Sequence, residues 1–152
     1  MDASKFLAYD GKCGRSYNAT IRFRISSSAF FQVNTPAAEV LYSKCAEWCN
    51  INKDKKTTLL DLCCGTGTIG ITMAGAVDKV IGIEMVPEAI EDAKRNAALN
   101  SKAFLYDMAY LKLNSELDIS NVTYYANKVE ERIDVIEQEK NEDVVAVLDP
   151  PR

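Results

Sequence analysis

Ten consecutive residues, Asp61–Gly70, read Asp-Leu-Cys-Cys-Gly-Thr-Gly-Thr-Ile-Gly and carry the strongest chemical signal in the chain. They follow a short apolar run (Thr58, Leu59, Leu60) and precede a helical pattern, which places them on a strand-to-helix turn. Gly65 and Gly67 let such a turn bend tightly and let its backbone approach a ligand, because neither carries a Cβ. The helix that follows aims its unpaired N–H groups at whatever fills the turn. With Gly70 these glycines satisfy G-x-G-x-x-G, a dinucleotide pattern that is weak by itself. Asp61 changes the reading, because a carboxylate just before the turn repels a pyrophosphate and favours a cation. S-adenosylmethionine, a nucleoside with a sulfonium and an ammonium, meets that requirement; NAD does not.

A second acid supports a nucleoside. Lys79–Glu84 (Lys-Val-Ile-Gly-Ile-Glu) reads as a buried parallel strand ending in a carboxylate. Glu84 lies at the separation from the glycine turn at which an acid reaches ribose hydroxyls across a strand-helix-strand unit. This device is common to methyl-donor and dinucleotide sites, so it points to the nucleoside rather than to the reaction.

The elements that must position these residues follow from periodicity. Residues 1–18 read as an irregular or hairpin lead-in, and Thr20–Ser26 alternates apolar and polar side chains like a half-buried strand. Ser26–Ser28 read as a turn. Thr35 then Pro36 predict a helix start, with the hydroxyl as N-cap and the proline in the first turn. On that helix Ala37, Leu41, Cys45 and Trp48 are expected to face the core, opposite Glu39, Ser43 and Glu47. From Thr58 the pattern alternates: strand, glycine turn, helix over 68–76, strand over 79–84, and a helix over 87–100 opened by Pro87. A strand over Val122–Tyr125, a helix over Val129–Glu139 and a fourth, buried strand over Asp143–Leu148 follow. Such alternation predicts an α/β, doubly wound, Rossmann-like parallel sheet. Its ligand site lies beyond the carboxyl ends of the strands, where Asp61, Glu84 and Asp149 all fall. Residues 101–120 interrupt the rhythm and are expected to add helix as an atypical insertion. The division expected is a lead-in over 1–34 and a partial nucleoside-binding domain over 35–152.

Composition narrows the class. A chain of 152 residues, 47% hydrophobic, supplies one core. No apolar run reaches a membrane span and no signal-peptide pattern opens the chain, so no membrane partner is expected. Five cysteines without C-x-x-C, and no histidine, argue against a metal site and for a reducing compartment, the cytosol or nucleus, with the mitochondrion left open. Cys45 and Cys49, one helical turn apart, read as packing residues. The missing histidine also removes the commonest general base. The net charge of −4 is uneven: residues 1–58 hold nine Lys/Arg against five Asp/Glu, and residues 59–152 nine against seventeen. The basic third is a weak pointer to RNA.

The chain reaches Leu148-Asp149-Pro150-Pro151-Arg152, an acid and two prolines that fix a rigid turn after a strand. With Phe30–Glu39 (Phe-Phe-Gln-Val-Asn-Thr-Pro-Ala-Ala-Glu), the Asp61–Gly70 motif, and Gly82-Ile83-Glu84 with Pro87–Ala93, this resembles the RNA uracil-C5 methyltransferase family, in its tRNA-modifying branch. The resemblance implies a class I S-adenosylmethionine-dependent domain, a tRNA substrate and a T-loop uridine as target. It implies that Gln32 and Glu84 contact the cofactor, Glu84 at the ribose. It also implies that Cys63 and the turn of Gly65, Gly67 and Thr68 approach the cofactor, and that Asp149 lies by the reacting centre.

In that family a cysteine thiolate adds to C6 of the uracil, making C5 nucleophilic, and a base later removes the C5 proton. Both groups lie downstream of the acid-Pro-Pro-Arg segment. The resemblance therefore implies a sheet truncated after its fourth strand and no catalytic residue within 1–152. It further implies no methyl transfer by this chain alone, and a fourth strand free to self-associate. Three other readings fit parts of the pattern. A class I methyltransferase for a base amine or protein amide is disfavoured by Arg152, where an aromatic residue normally follows the prolines. An NAD-binding oxidoreductase domain is disfavoured by Asp61. A catalytically silent binding or scaffold domain stays open.

Overall fold

The computed structural model describes residues 2–10, 15–26, 30, 32, 34–111, 119–139 and 143–150. The chain opens with an antiparallel pair, β1 (Asp2–Asp10) and β2 (Arg15–Arg24). The lead-in is thus a hairpin, and its second strand starts before Thr20, at Arg15. The turn expected at Ser26–Ser28 falls mostly outside the described residues.

Helix α1 (Thr35–Cys49) is capped by Asn34, whose side chain accepts from the Ala37 N–H at 3.2 Å. The cap is therefore one residue earlier than Thr35, and Pro36 stays in the first turn, where its missing N–H costs nothing. The helix ends where Asn50 takes a left-handed conformation and donates to the Glu47 carbonyl. Its buried face is Ala38, Tyr42 and Ala46, while Leu41 and Trp48 are exposed. That is a correction of one residue, or about 100° of helix rotation. Small alanines on either side of Tyr42 let the helix lie close to the sheet, which the larger Trp48 would prevent.

The remaining elements are β3 (Thr57–Leu62), α2 (Thr68–Met73), β4 (Lys79–Glu84), α3 (Pro87–Leu111), β5 (Val122–Ala126), α4 (Ile133–Glu137) and β6 (Asp143–Leu148). Short 3₁₀ turns follow α2 and precede β5 and α4. Helix α3 runs through the first half of the expected insertion, and residues 112–118 lie outside the described residues. The helix expected over Val129–Glu139 is a 3₁₀ turn and a single α turn.

β3 through β6 form one parallel sheet in the order β5-β4-β3-β6. The chain steps outward from β3 to β5 and then returns to the other side of β3. The reversal of direction opens a crevice at the carboxyl ends of β3 and β6. β3 is central, paired on both sides and buried on both faces, which is why it reads as an apolar run. On one face Leu59 and Val80 pack with Ile21, Phe23, Tyr42, Ile71 and Met73; on the other, Leu60, Ile81 and Ile83 pack with Tyr125, Val135 and Ile136. β6 is at the edge of the described sheet and is half-buried rather than buried. Val145 and Val147 join the first core, while Val144 and Leu148 are exposed.

Candidate cofactor-binding site

The turn after β3 is built from backbone conformations that few residues adopt. Gly65 and Gly67 have φ of 54° and 80°, and Cys63 is itself left-handed at φ 63°. The Cys64 N–H donates to the Ile83 carbonyl at 3.0 Å, pinning the turn to β4, and the Gly67 N–H donates to the Cys64 carbonyl at 2.9 Å. A Cβ at Gly67 would collide with the Tyr124 hydroxyl, whereas one at Gly65 would meet no described atom within 4 Å. The space at Gly67 is filled by protein; that at Gly65 is filled by no described residue. At Gly70 a Cβ would approach Asp61 and Val80 to about 3 Å, so the third glycine is there for close helix–sheet packing.

Asp61 is 1% exposed, and its Oδ2 accepts from the Gly70 N–H at 2.8 Å. Gly67 has no side chain to cap α2, and Asp61 does so from the adjacent strand. Burial pushes its carboxyl up to about 7, the Gly70 N–H opposes that, and the nearby charges of Asp149 and Glu84 add to it. Asp61 therefore acts from beneath the turn, as a cap and a source of field. Glu84 spans the turn from the next strand: Oε2 accepts from the Gly65 N–H at 3.1 Å and Oε1 from the Val86 N–H at 3.0 Å. Each oxygen keeps a further lone pair for a hydroxyl donor. Asp149 is exposed, and its N–H donates to the Leu62 carbonyl at 3.4 Å, which holds it beside the end of β3.

Glu84 and Asp149 thus flank the mouth of the crevice, with Asp61 buried beneath it. Among the described residues no lysine or arginine forms an ion pair with any of them. Burial first, then the charges of Glu84 and Asp61, raise the Cys63 and Cys64 thiols above the ordinary thiol value, with Asp149 adding to it at Cys63. Neither sulfur is an activated nucleophile at neutral pH. Thr68, the first residue of α2, is buried, with its hydroxyl 3.2 Å from that of Thr66. Gln32 is half-buried on the connection to α1, and among the described residues no hydrogen bond joins it to this cluster.

Two further residues belong to the site. Tyr42 of α1 hydrogen-bonds Thr68, and burial with the Asp149 and Asp61 charges pushes its phenol up to about 12. Tyr124 of β5 lies across Gly82 with its hydroxyl under Gly67, buried and with no hydrogen-bond partner among the described residues. The i, i+4 spacing from Ala38 and Ala46 could have found Tyr42; nothing local marks Tyr124. A turn backed by carboxylates, with no cation paired to them among the described residues, suits a nucleoside that carries positive charge.

That site and fold define a class. A methyltransferase-domain family model matches residues 53–146, and the chain belongs to that family. A S-adenosylmethionine-dependent methyltransferase from Agrobacterium tumefaciens shares the fold, with a TM-score of 0.54 at 16% identity over 87% of this chain and 37% of that one. Sequence relatives are more specific. The tRNA (uracil-5-)-methyltransferase homolog A of Mus musculus is 44% identical over 133 residues, 87% of this chain and 19% of that protein. The homolog B of Homo sapiens is 36% identical over 135 residues, 88% of this chain and 23% of that protein. These carry the family name that the motifs resemble, and the chain spans about a fifth of their length.

Proposed function

We propose that this chain is the S-adenosylmethionine-binding unit of a tRNA uracil-C5 methyltransferase. The observation that carries the reading is the glycine turn flanked by Asp61, Glu84 and Asp149, left open and without a matching cation among the described residues. The names of the sequence relatives support the tRNA uracil assignment. When bound, the sulfonium supplies an electrophilic methyl group. The residues here bind and orient. Glu84 presents lone pairs to the ribose hydroxyls while holding the Gly65 N–H, and the Gly65–Thr68 backbone forms the floor. The carboxylate field favours the cationic end, and Asp149, on the rim beside β3, faces the acceptor side. Gln32 and Cys63 complete the proposed contact set.

Calorimetric titration with S-adenosylhomocysteine and with NAD tests the reading. Binding of the first and not the second is expected; the reverse overturns it. Glu84→Ala removes charge-assisted hydrogen bonds and is expected to weaken S-adenosylhomocysteine binding by roughly 2–4 kcal/mol. Equal affinity in a folded variant, checked by circular dichroism, would remove Glu84 from the site. Among the described residues no strand pairs with the outer edge of β6, and we propose that this edge associates with a second copy. Sedimentation velocity should then show association rising with concentration, and a monomer throughout removes that part.

A further inference from the structure

Three polar side chains lie along one face of α3. Asp92, Asn96 and Asn100, each four residues apart, are 3%, 0% and 4% exposed. Polar groups so buried cost stability unless they are bonded, and all three bond to β2 and its continuation. The Arg22 N–H donates to Asn100 Oδ1 at 2.9 Å, and Asn100 Nδ2 donates to the Arg22 carbonyl at 2.8 Å. The Arg24 N–H donates to Asn96 Oδ1 at 2.7 Å, and Asn96 Nδ2 donates to the Arg24 carbonyl at 3.1 Å. The Ser26 N–H donates to Asp92 Oδ2 at 3.2 Å. Four helical residues rise about 6 Å, and two strand residues about 6.7 Å. The helix therefore offers the strand one side chain per exposed edge position, in the place of a neighbouring strand.

Asn96 does one thing more. Its Nδ2 also donates to the Thr66 carbonyl at 3.2 Å, in the middle of the glycine turn. The peptide between Thr66 and Gly67 is then held at both ends, its C=O by Asn96 and its N–H by the Cys64 carbonyl. A peptide preceding glycine flips at little steric cost, and this pair of bonds opposes the flip. We propose that Asn96 is the positioning residue that sets the glycine turn and ties it to β2, so that filling the turn and ordering residues 22–26 are linked. The inference rests on the cofactor reading above, and it concerns a residue that touches no cofactor.

Amide hydrogen exchange on the protein with and without saturating S-adenosylhomocysteine tests the link. Exchange at the Arg24 amide should slow by about tenfold, and at the Arg22 amide by less. An unchanged Arg24 amide in a protein that binds the ligand overturns the proposal. Variants separate positioning from general stability. Asn96→Ala and Asn100→Ala both lose two bonds to β2, but only the first loses the turn. Asn96→Ala should weaken S-adenosylhomocysteine binding by about tenfold, and Asn100→Ala by no more than about twofold. Equal losses overturn the proposal, and if Asn96→Ala does not fold, the exchange measurement on the unaltered protein decides. If the unaltered protein binds no S-adenosylhomocysteine, the cofactor reading has failed. The tie itself is then read without ligand, as faster exchange at the Gly67 and Gly70 amides in Asn96→Ala than in Asn100→Ala. Equal exchange there overturns it.

Discussion

The two ends of the parallel sheet carry similar numbers of acids and use them in opposite ways. At the amino end an open polar cleft of about 480 Å³ is lined by Lys56, Asp78, Lys79 and Glu139. There Lys79 pairs with Glu139 at 2.7 Å, Lys55 with Asp143 at 3.3 Å, and Asp78 accepts from the Thr57 N–H. At the carboxyl end Asp61 and Glu84 are held by backbone N–H groups, and no described cation answers them. Charges matched by lysines stitch loops together and leave little field. Charges held by peptide dipoles stay available to a ligand. The amino-end cleft is therefore the poorer candidate, and the glycine turn is the better one.

The strongest way to break this contrast is to deform the turn. Gly67→Ala forces a Cβ into left-handed backbone and against the Tyr124 hydroxyl. Strain and overpacking together should cost roughly 2–4 kcal/mol of stability and abolish S-adenosylhomocysteine binding. At the other end, Lys55→Ala removes a half-exposed ion pair and should cost no more than about 1 kcal/mol, with affinity unchanged. Thermal melts and calorimetry on the two variants check the pair; comparable losses of affinity would show that the ends do not differ.

Asp61 gives a pH-dependent test of the same field. Its carboxyl is raised to about 7, so the folded state holds the proton more tightly than the unfolded chain. For an acid shifted upward, the stabilisation is fully present below the ordinary aspartate value near 4. It is lost as pH rises through about 7. Asp61→Asn keeps an acceptor for the Gly70 N–H and cannot ionise. Relative to this variant, the unaltered protein should lose of order a few kcal/mol between pH 4 and 8. Parallel stability curves would mean that Asp61 carries no buried charge.

Much of this arrangement was legible in the sequence where neighbours along the chain decide it. The bounds of β4 and β6, the strand-to-helix turn and the placement of Asp61, Glu84 and Asp149 at strand ends all follow from local pattern. The direction of Asp61 was not legible, because whether a carboxylate faces a ligand or caps the next helix depends on how α2 docks. Asn96 reads as an ordinary polar helix residue until β2 is laid against it. Tyr124 meets Gly82 through strand pairing between residues far apart in sequence.

The face of α1 is the clearest case, and it yields the smallest and most discriminating prediction. Hydrophobicity alone put Trp48 in the core, since it is the largest apolar side chain on the helix. The structure leaves it 79% exposed and buries Ala46, at 3%, two residues earlier. Burial there is decided by how closely the helix can approach the core on that face of the sheet, and alanine permits what tryptophan forbids. Trp48→Ser should therefore change stability by no more than about 0.5 kcal/mol, because the two residues have similar helix propensity. A buried tryptophan at that position would lose roughly 3–5 kcal/mol on truncation. Ala46→Leu, conservative by hydrophobicity, should cost about 1–3 kcal/mol by pushing the helix off the sheet. Denaturant melts of the two variants decide between the faces, and a costly Trp48→Ser beside a silent Ala46→Leu would rotate the helix back.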